Sequence, residues 1–167
     1  MKIIYSILGL LVIAFFAASI YLKPADVPRS GDAQPDKQGG HVAEKEYGGP
    51  QPPTSGDHAD PVQSGPYTEE VADVNTLHNL EHGSIYVSYQ PDLPKEQVEL
   101  LTKLLFPPYS VDDFKPLEVV LAPRKANDAP IIVSSWNRNM KLQSYDRDKI
   151  IEYYKTNVNK SPEPQAR

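Results

Sequence analysis

The longest apolar run of the chain lies at its beginning. Residues 3–22 carry no charge and are apolar at nearly every position. At about 1.5 Å of rise per residue, a helix of this length just crosses a hydrocarbon core of about 30 Å. We therefore expect residues 1–23 to form one transmembrane helix. A cleaved signal peptide is the alternative, because Lys2 precedes the run and small residues occur at positions 17–19.

The pattern changes to proline-rich and polar after Lys23. Residues 24–40 show no apolar periodicity and cannot bury enough apolar surface to offset the entropy of ordering them. We predict a disordered tether over residues 24–40. From His41 onward we predict an irregular but ordered loop, because Pro52-Pro53-Thr54-Ser55-Gly56 is stiff and is set to turn at Gly56.

The rest of the chain shows strand and helix periodicities. Strands are predicted at residues 84–89, 117–121 and 131–136, and helices at residues 94–106 and 146–158. Residues 69–80 are predicted to form either a short helix or an irregular connection. A helical turn there, capped by Asn75 or Thr76, would carry His78 and His82.

This order predicts an α+β fold. We expect a small, largely antiparallel sheet with helices on one face, preceded by the long ordered loop and the single N-terminal transmembrane helix. The last two strands would form a hairpin, and the first would cross over through the helix. Residues 41–158 would make one domain, and residues 159–167 a frayed tail.

Charge and cysteine content narrow the possible partners. The chain has 17 basic and 22 acidic residues, a net charge of −5, and no basic patch interleaved with aromatic residues. These features exclude nucleic acid as a partner. The absence of cysteine excludes disulfides, thiol nucleophiles and thiolate metal sites. The expected partners are the cell membrane, through a single pass that leaves the polar domain on the extracytoplasmic side, and a metal ion.

The histidines are the main chemical signal. All four lie between positions 41 and 82. His78 and His82, at i and i+4, would share one helix face at a separation suited to a single ion. His58, on the stiff turn, is the third predicted ligand and His41 the fourth. Glu81 is expected to accept a hydrogen bond from one of the ligand histidines. Because imidazoles without thiolates suit copper(II) or zinc(II), we predict a non-catalytic copper or zinc site.

Two other functions remain open for the same residues. His78-x-x-Glu81-His82 has the spacing of an inverted zinc-protease motif, in which the glutamate activates water. Gly83 and a strand follow at once, so a long supporting helix is not expected. Alternatively, the histidines and Glu81 form a metal-free structural corner that hydrogen-bonds the proline-rich loop to the sheet. Convergence of the four imidazoles would favour the metal site.

Two motifs in this order resemble a known family. Pro52-Pro53-Thr54-Ser55-Gly56-Asp57-His58 and His78-Asn79-Leu80-Glu81-His82-Gly83 are similar to motifs of the domain of unknown function 3105 family of bacterial membrane-anchored or secreted proteins. An early histidine, Ala122-Pro123-Arg124 and the strand ending at Trp136 fit the same pattern. The resemblance covers about residues 41–154 and implies no activity. We expect Arg124 to anchor a loop by pairing with an acidic residue; the alternative is that it binds an anionic ligand.

Overall fold

The computed structural model describes residues 27–108 and 114–164. The strands are β1 Asp32–Ala33, β2 Gly65–Pro66, β3 Ile85–Tyr89, β4 Val119–Pro123, β5 Ile131–Ser135 and β6 Arg138–Leu142, and the helices are α1 Asp73–Glu81, α2 Lys95–Leu105 and α3 Arg147–Asn157. The predicted α+β class is confirmed. The predicted transmembrane helix lies outside the described residues, and no helix within them is long and apolar enough to cross a membrane.

The sheet is mixed, with strand order β1-β6-β5-β3-β4-β2. The central strand β3 pairs antiparallel with β5 and parallel with β4. The prediction of a largely antiparallel sheet therefore holds for β5, β6 and β1 and is wrong on the side of β4 and β2. The reason is the crossover through α2, which returns the chain to the same end of the sheet and makes β4 parallel to β3.

The predicted hairpin between residues 117–121 and 131–136 is wrong. β3 lies between these two strands, and the hairpin partner of β5 is β6. β6 was missed because its residues are mostly polar and lack the β-branched composition of β5. A two-residue turn joins them, and Asn137 takes a φ of 57°, a conformation that asparagine tolerates better than most residues.

Two apolar clusters, one on each face of the sheet, hold the helices. On one face α2 and α3 pack against the sheet through Leu101, Leu105, Ile150 and Tyr153. On the other face α1 buries Leu77 and Leu80 against Tyr86 and Val120. The prediction that all helices cover one face is therefore wrong, because residues 73–81, for which the sequence left a short helix or an irregular connection open, form a helix on the opposite face. Its apolar side faces the sheet and fixes the histidine-bearing side toward the loop.

The segment before the domain is not the predicted disordered tether in its described part, residues 27–40. β1 pairs with β6, and the guanidinium of Arg29 donates to the carbonyl of Trp136 at 2.6 Å. The Ser55 hydroxyl donates to the carbonyl of Pro35 at 3.1 Å. Composition suggested disorder because little apolar surface is present; hydrogen bonds hold this segment instead.

The tail after α3 is also packed in its described part. The amide of Asn159 donates to the carbonyl of Gly83 at 2.9 Å, and the amide of Glu163 donates to the carbonyl of Glu81 at 3.2 Å. Residues 159–164 therefore lie against the C-terminal end of α1 rather than fraying from it. This contact places an acidic residue beside the histidine motif.

Candidate metal centre

The proline-rich loop places His41 and His58 side by side. The two residues form a parallel β-bridge, in which the amide of His58 donates to the carbonyl of Gly40 at 3.0 Å. The two arms cross closely at glycines: a Cβ on Gly39 would lie 2.0 Å from the carbonyl carbon of Gly56. Gly39 also has a φ of 145°, which other residues rarely adopt. Glycine at this crossing is therefore what lets the two histidines approach each other.

Polar side chains of α1 fix the loop that follows His58. Asn75 Nδ2 donates to the carbonyl of Asp60 at 2.6 Å. Asn79 binds Val62 twice, donating to its carbonyl at 2.8 Å and accepting from its amide at 3.1 Å. Residues three or four apart share a helix face, so these asparagines and His78 act on the same stretch of loop.

The four histidine side chains form two neighbouring groups that share His78, where the loop meets the end of α1. The ring centroids are 4.6 Å apart for His41 and His58, 4.8 Å for His41 and His78, 4.8 Å for His58 and His78, and 4.5 Å for His78 and His82. Ligand atoms of His41, His58 and His78 lie within 4.8 Å of one another, and so do those of His78, Glu81 and His82. His58 and His78 are buried, His82 and Glu81 half-buried, and His41 exposed.

Backbone carbonyls fix the protonation of the two buried rings. His58 Nδ1 lies 3.0 Å from the carbonyl of Gly56, and His78 Nδ1 lies 2.7 Å from the carbonyl of Ala59. A carbonyl oxygen only accepts, so Nδ1 carries the proton in each ring. In the neutral imidazole Nε2 then presents a lone pair. This arrangement is the one that metal-bound histidines commonly show.

The Nε2 atom of His58 lacks a hydrogen bond within the described structure. It lies 2.8 Å from Oε2 of Glu81, but the contact does not have hydrogen-bond geometry. His58 is 1% exposed, so this polar atom is shielded from water. A buried lone pair facing a carboxylate is costly unless a positive charge lies between them or the ring is protonated.

The pair on α1 has the separation that one ion requires. His78 Nε2 lies 3.2 Å from His82 Nε2. Two nitrogens bound tetrahedrally to one zinc ion, at about 2.0–2.1 Å each, are about 3.3 Å apart. His82 follows the last residue of α1 as its C-cap, so the end of the helix, rather than a long helix, holds the pair. Without an ion, a proton on one of the two Nε2 atoms makes this contact a hydrogen bond between the rings.

Burial lowers the pKa of His78 below its ordinary 6.5, with smaller effects from the neighbouring histidines in the same direction. The unfolded chain therefore takes up this proton at a higher pH than the folded chain. The stabilising effect is complete above about pH 6.5 and is lost as the pH falls toward the folded-state pKa. In a chelator, the melting temperature should consequently fall between pH 7.5 and pH 5, and less so in His78→Asn. Equal pH slopes for the two proteins would contradict this assignment.

An ion pair anchors the start of α1. Arg124 donates from Nε and Nη2 to the two carboxylate oxygens of Asp73 at 2.9 and 2.8 Å, and Nη2 also donates to the carbonyl of Gly49 at 2.8 Å. Arg124 is 4% exposed. The expected acidic partner of Arg124 is thus present, and the pair joins β4, α1 and the proline-rich loop.

Sequence reasoning missed one charged group near the cluster. Oε2 of Glu163 lies 4.0 Å from Nε2 of His82. Glu163 follows α3 in a proline-rich tail with no periodicity, so only the folded chain shows that it approaches the histidines. No local sequence signal could have predicted its position.

Together these features define a class: a small α+β domain that carries a four-histidine cluster between a proline-rich loop and the end of a helix. A family model, described as Protein of unknown function (DUF3105), matches residues 41–167. The chain therefore belongs to that family, as its two motifs suggested. No curated protein matches the chain, and no solved structure matches it.

Proposed function

We propose that the chain is a membrane-anchored, extracytoplasmic domain that binds one copper or zinc ion and does not catalyse a reaction. The first ligands are the Nε2 atoms of His78 and His82, which lie 3.2 Å apart. His58 and His41 contribute from the loop group that shares His78. Glu81 supplies the adjoining carboxylate. The observation that carries the proposal is the orientation of the two buried rings. Their Nδ1 atoms bind backbone carbonyls, while Nε2 of His58 approaches Glu81 and Nε2 of His78 approaches His82.

The orphaned Nε2 of His58 favours a metal over a metal-free corner. A purely structural histidine would be expected to use both ring nitrogens in hydrogen bonds, because an unpaired buried polar atom costs about 1–3 kcal/mol. His58 uses Nδ1 only, and its Nε2 is 2.8 Å from a carboxylate without hydrogen-bond geometry. A divalent cation bound at both atoms would satisfy the lone pair and the negative charge together.

The position of Glu81 argues against a hydrolase. In the inverted zinc-protease motif the glutamate must face a water on the metal. Glu81 instead lies against His58, a ring that the motif does not include. A role in orienting or completing the ligand set fits this contact better than a role as a base.

Localisation is proposed from the sequence. The uncharged apolar run of residues 3–22 is long enough to span a bilayer. A site made of imidazoles and carboxylates, in a chain without cysteine, tolerates the oxidising conditions outside the cytoplasm.

The direct test is metal binding by the full chain, purified in a mild non-ionic detergent and stripped with a chelator. Titration with copper(II) chloride or zinc chloride, followed by calorimetry, should show one ion per chain. The double variant His78→Ala, His82→Ala should not bind, since it removes two of the proposed ligands. If the intact chain binds neither ion, by calorimetry and by metal analysis, the proposal is wrong.

A further inference from the structure

The C-terminal segment lies directly over the histidine-bearing end of α1. Asn159 and Gly83 are in close contact, since a Cβ on Gly83 would lie 2.8 Å from the Cα of Asn159. Gly83 also has a φ of 88°, so a side chain there would be strained as well as crowded. Two backbone hydrogen bonds, from Asn159 to Gly83 and from Glu163 to Glu81, hold the segment in register.

This register brings a second carboxylate to the cluster. The amide of Glu163 donates to the carbonyl of Glu81, the residue directly before His82, and this bond holds Glu163 near His82. Its Oε2 lies 4.0 Å from His82 Nε2, too far for a hydrogen bond but near enough for a small side-chain rotation to bring it to an ion bound there. The carboxylate is more than half exposed, at 58%, and can therefore rotate.

The charge of the proposed site gives this carboxylate a role. Neutral imidazoles contribute no charge, so an ion of charge +2 with Glu81 alone would keep an uncompensated positive charge beside buried groups. A second carboxylate would neutralise it, and carboxylate oxygens bind zinc at about 2.0–2.2 Å. The other acidic residue of α1 close to the loop, Asp73, is already paired with Arg124.

We infer that Glu163 is an additional ligand of the metal ion, delivered by the C-terminal segment, so that metal binding locks residues 159–164 onto the end of α1. This inference rests on the proposed metal binding. A site made of the histidines alone would not bind residues 159–164, whereas a site that includes Glu163 holds this segment in place through the ion.

The test compares the full chain in detergent with Glu163→Gln and with Glu96→Gln. The control loses the same charge from an exposed position in the first turn of α2. Zinc and copper affinities are measured by competition with a chromophoric chelator. Glu163→Gln should bind about 10-fold more weakly or worse, the loss typical of removing a group that supports a metal site, and Glu96→Gln should match the wild type.

Hydrogen exchange of residues 157–164, with and without zinc, supplies the second readout. Zinc should slow exchange there in the wild type and in Glu96→Gln, and not in Glu163→Gln. Equal affinities of Glu163→Gln and the wild type would overturn the inference and leave the proposed function standing. Weaker binding without zinc-dependent protection in the wild type would also overturn it, because the carboxylate would then act only through its charge at a distance. If the wild type binds no metal, both the role of Glu163 and the proposed function are wrong.

Discussion

His78→Asn should lower the affinity of the chain for zinc and copper by about 100-fold or more while leaving the metal-free protein nearly as stable as the wild type. The amide nitrogen of asparagine occupies about the position of Nδ1 in histidine, so it can still donate to the carbonyl of Ala59. The variant lacks any atom at the position of Nε2. Losing a group that merely supports a ligand costs 10- to 100-fold, and losing the ligand itself should cost at least the upper end of that range.

This substitution separates the two roles of the buried ring. If His78 serves only to hold the loop, His78→Asn keeps the bond that matters and metal affinity is unaffected. If it is a ligand, affinity collapses although the fold persists. Affinity is measured by chelator competition, and stability by thermal unfolding in a chelator. His78→Ala is the matched variant, because it removes both the ligand and the hydrogen bond to the carbonyl of Ala59. Its free energy of unfolding should be lower than that of His78→Asn by about 1 kcal/mol or more.

Wild-type affinity in a folded His78→Asn protein would remove His78 from the ligand set. Loss of folding in His78→Asn but not in His78→Ala would contradict the supposed mimicry of Nδ1. Either result would count against the proposed metal site, because that site requires Nδ1 of His78 to bind the carbonyl of Ala59 while Nε2 binds the ion.

The sequence predicted the elements whose patterns are local. β3 alternates β-branched and aromatic residues, and α2 carries an apolar stripe, so both were expected close to their observed bounds. β6 was missed because Arg138-Asn-Met-Lys-Leu142 owes its conformation to pairing with β5 rather than to its own composition. Strand order depends on which partners meet after folding, and no local pattern contains that information.

The order of residues 27–40 also depends on tertiary partners that the local sequence does not reveal. Composition measures how much apolar surface a segment can bury, and here it is little. Arg29 and Ser30 are instead held by polar partners on α3, including the bond from the Arg29 guanidinium to Asn157 Oδ1 at 2.9 Å. Such bonds form only once the partner helix is in place, so they cannot be predicted from the segment itself.

The candidate site was predictable to the extent that its residues are crowded in sequence. His78, Glu81 and His82 are near neighbours on one helix end, and His41 and His58 share one loop. Glu163 was not predictable, because it reaches the cluster through the contact between the tail and Gly83. What the sequence could not supply was the orientation of each ring, which depends on the carbonyls of Gly56 and Ala59.

Arg124→Met should destabilise the protein by about 3–5 kcal/mol, the cost of removing one partner from a buried ion pair. The substitution leaves the Asp73 carboxylate, whose side chain is 9% exposed, without its bidentate partner. It also removes the bond that Arg124 makes to the carbonyl of Gly49, so the proline-rich loop loses an anchor. In thermal unfolding with a chelator present, the melting temperature should fall by about 10 °C or more.

The control is Lys103→Met, which removes the cation of an exposed pair with Glu99. Exposed ion pairs contribute about 0–1 kcal/mol, so this variant should melt within a few degrees of the wild type. The double variant Arg124→Met, Asp73→Asn should recover part of the loss, because the unpaired charge is then gone.

If Arg124→Met is no less stable than Lys103→Met, or if Asp73→Asn brings no recovery, the pair of Arg124 and Asp73 does not anchor α1. The double variant separates two causes of the destabilisation that the single variant combines. Recovery would show that the unpaired Asp73 carboxylate, rather than the missing arginine contacts, causes most of the damage. The start of α1, and with it the position of His78 and His82, would then depend on neutralising one buried carboxylate at the edge of the sheet.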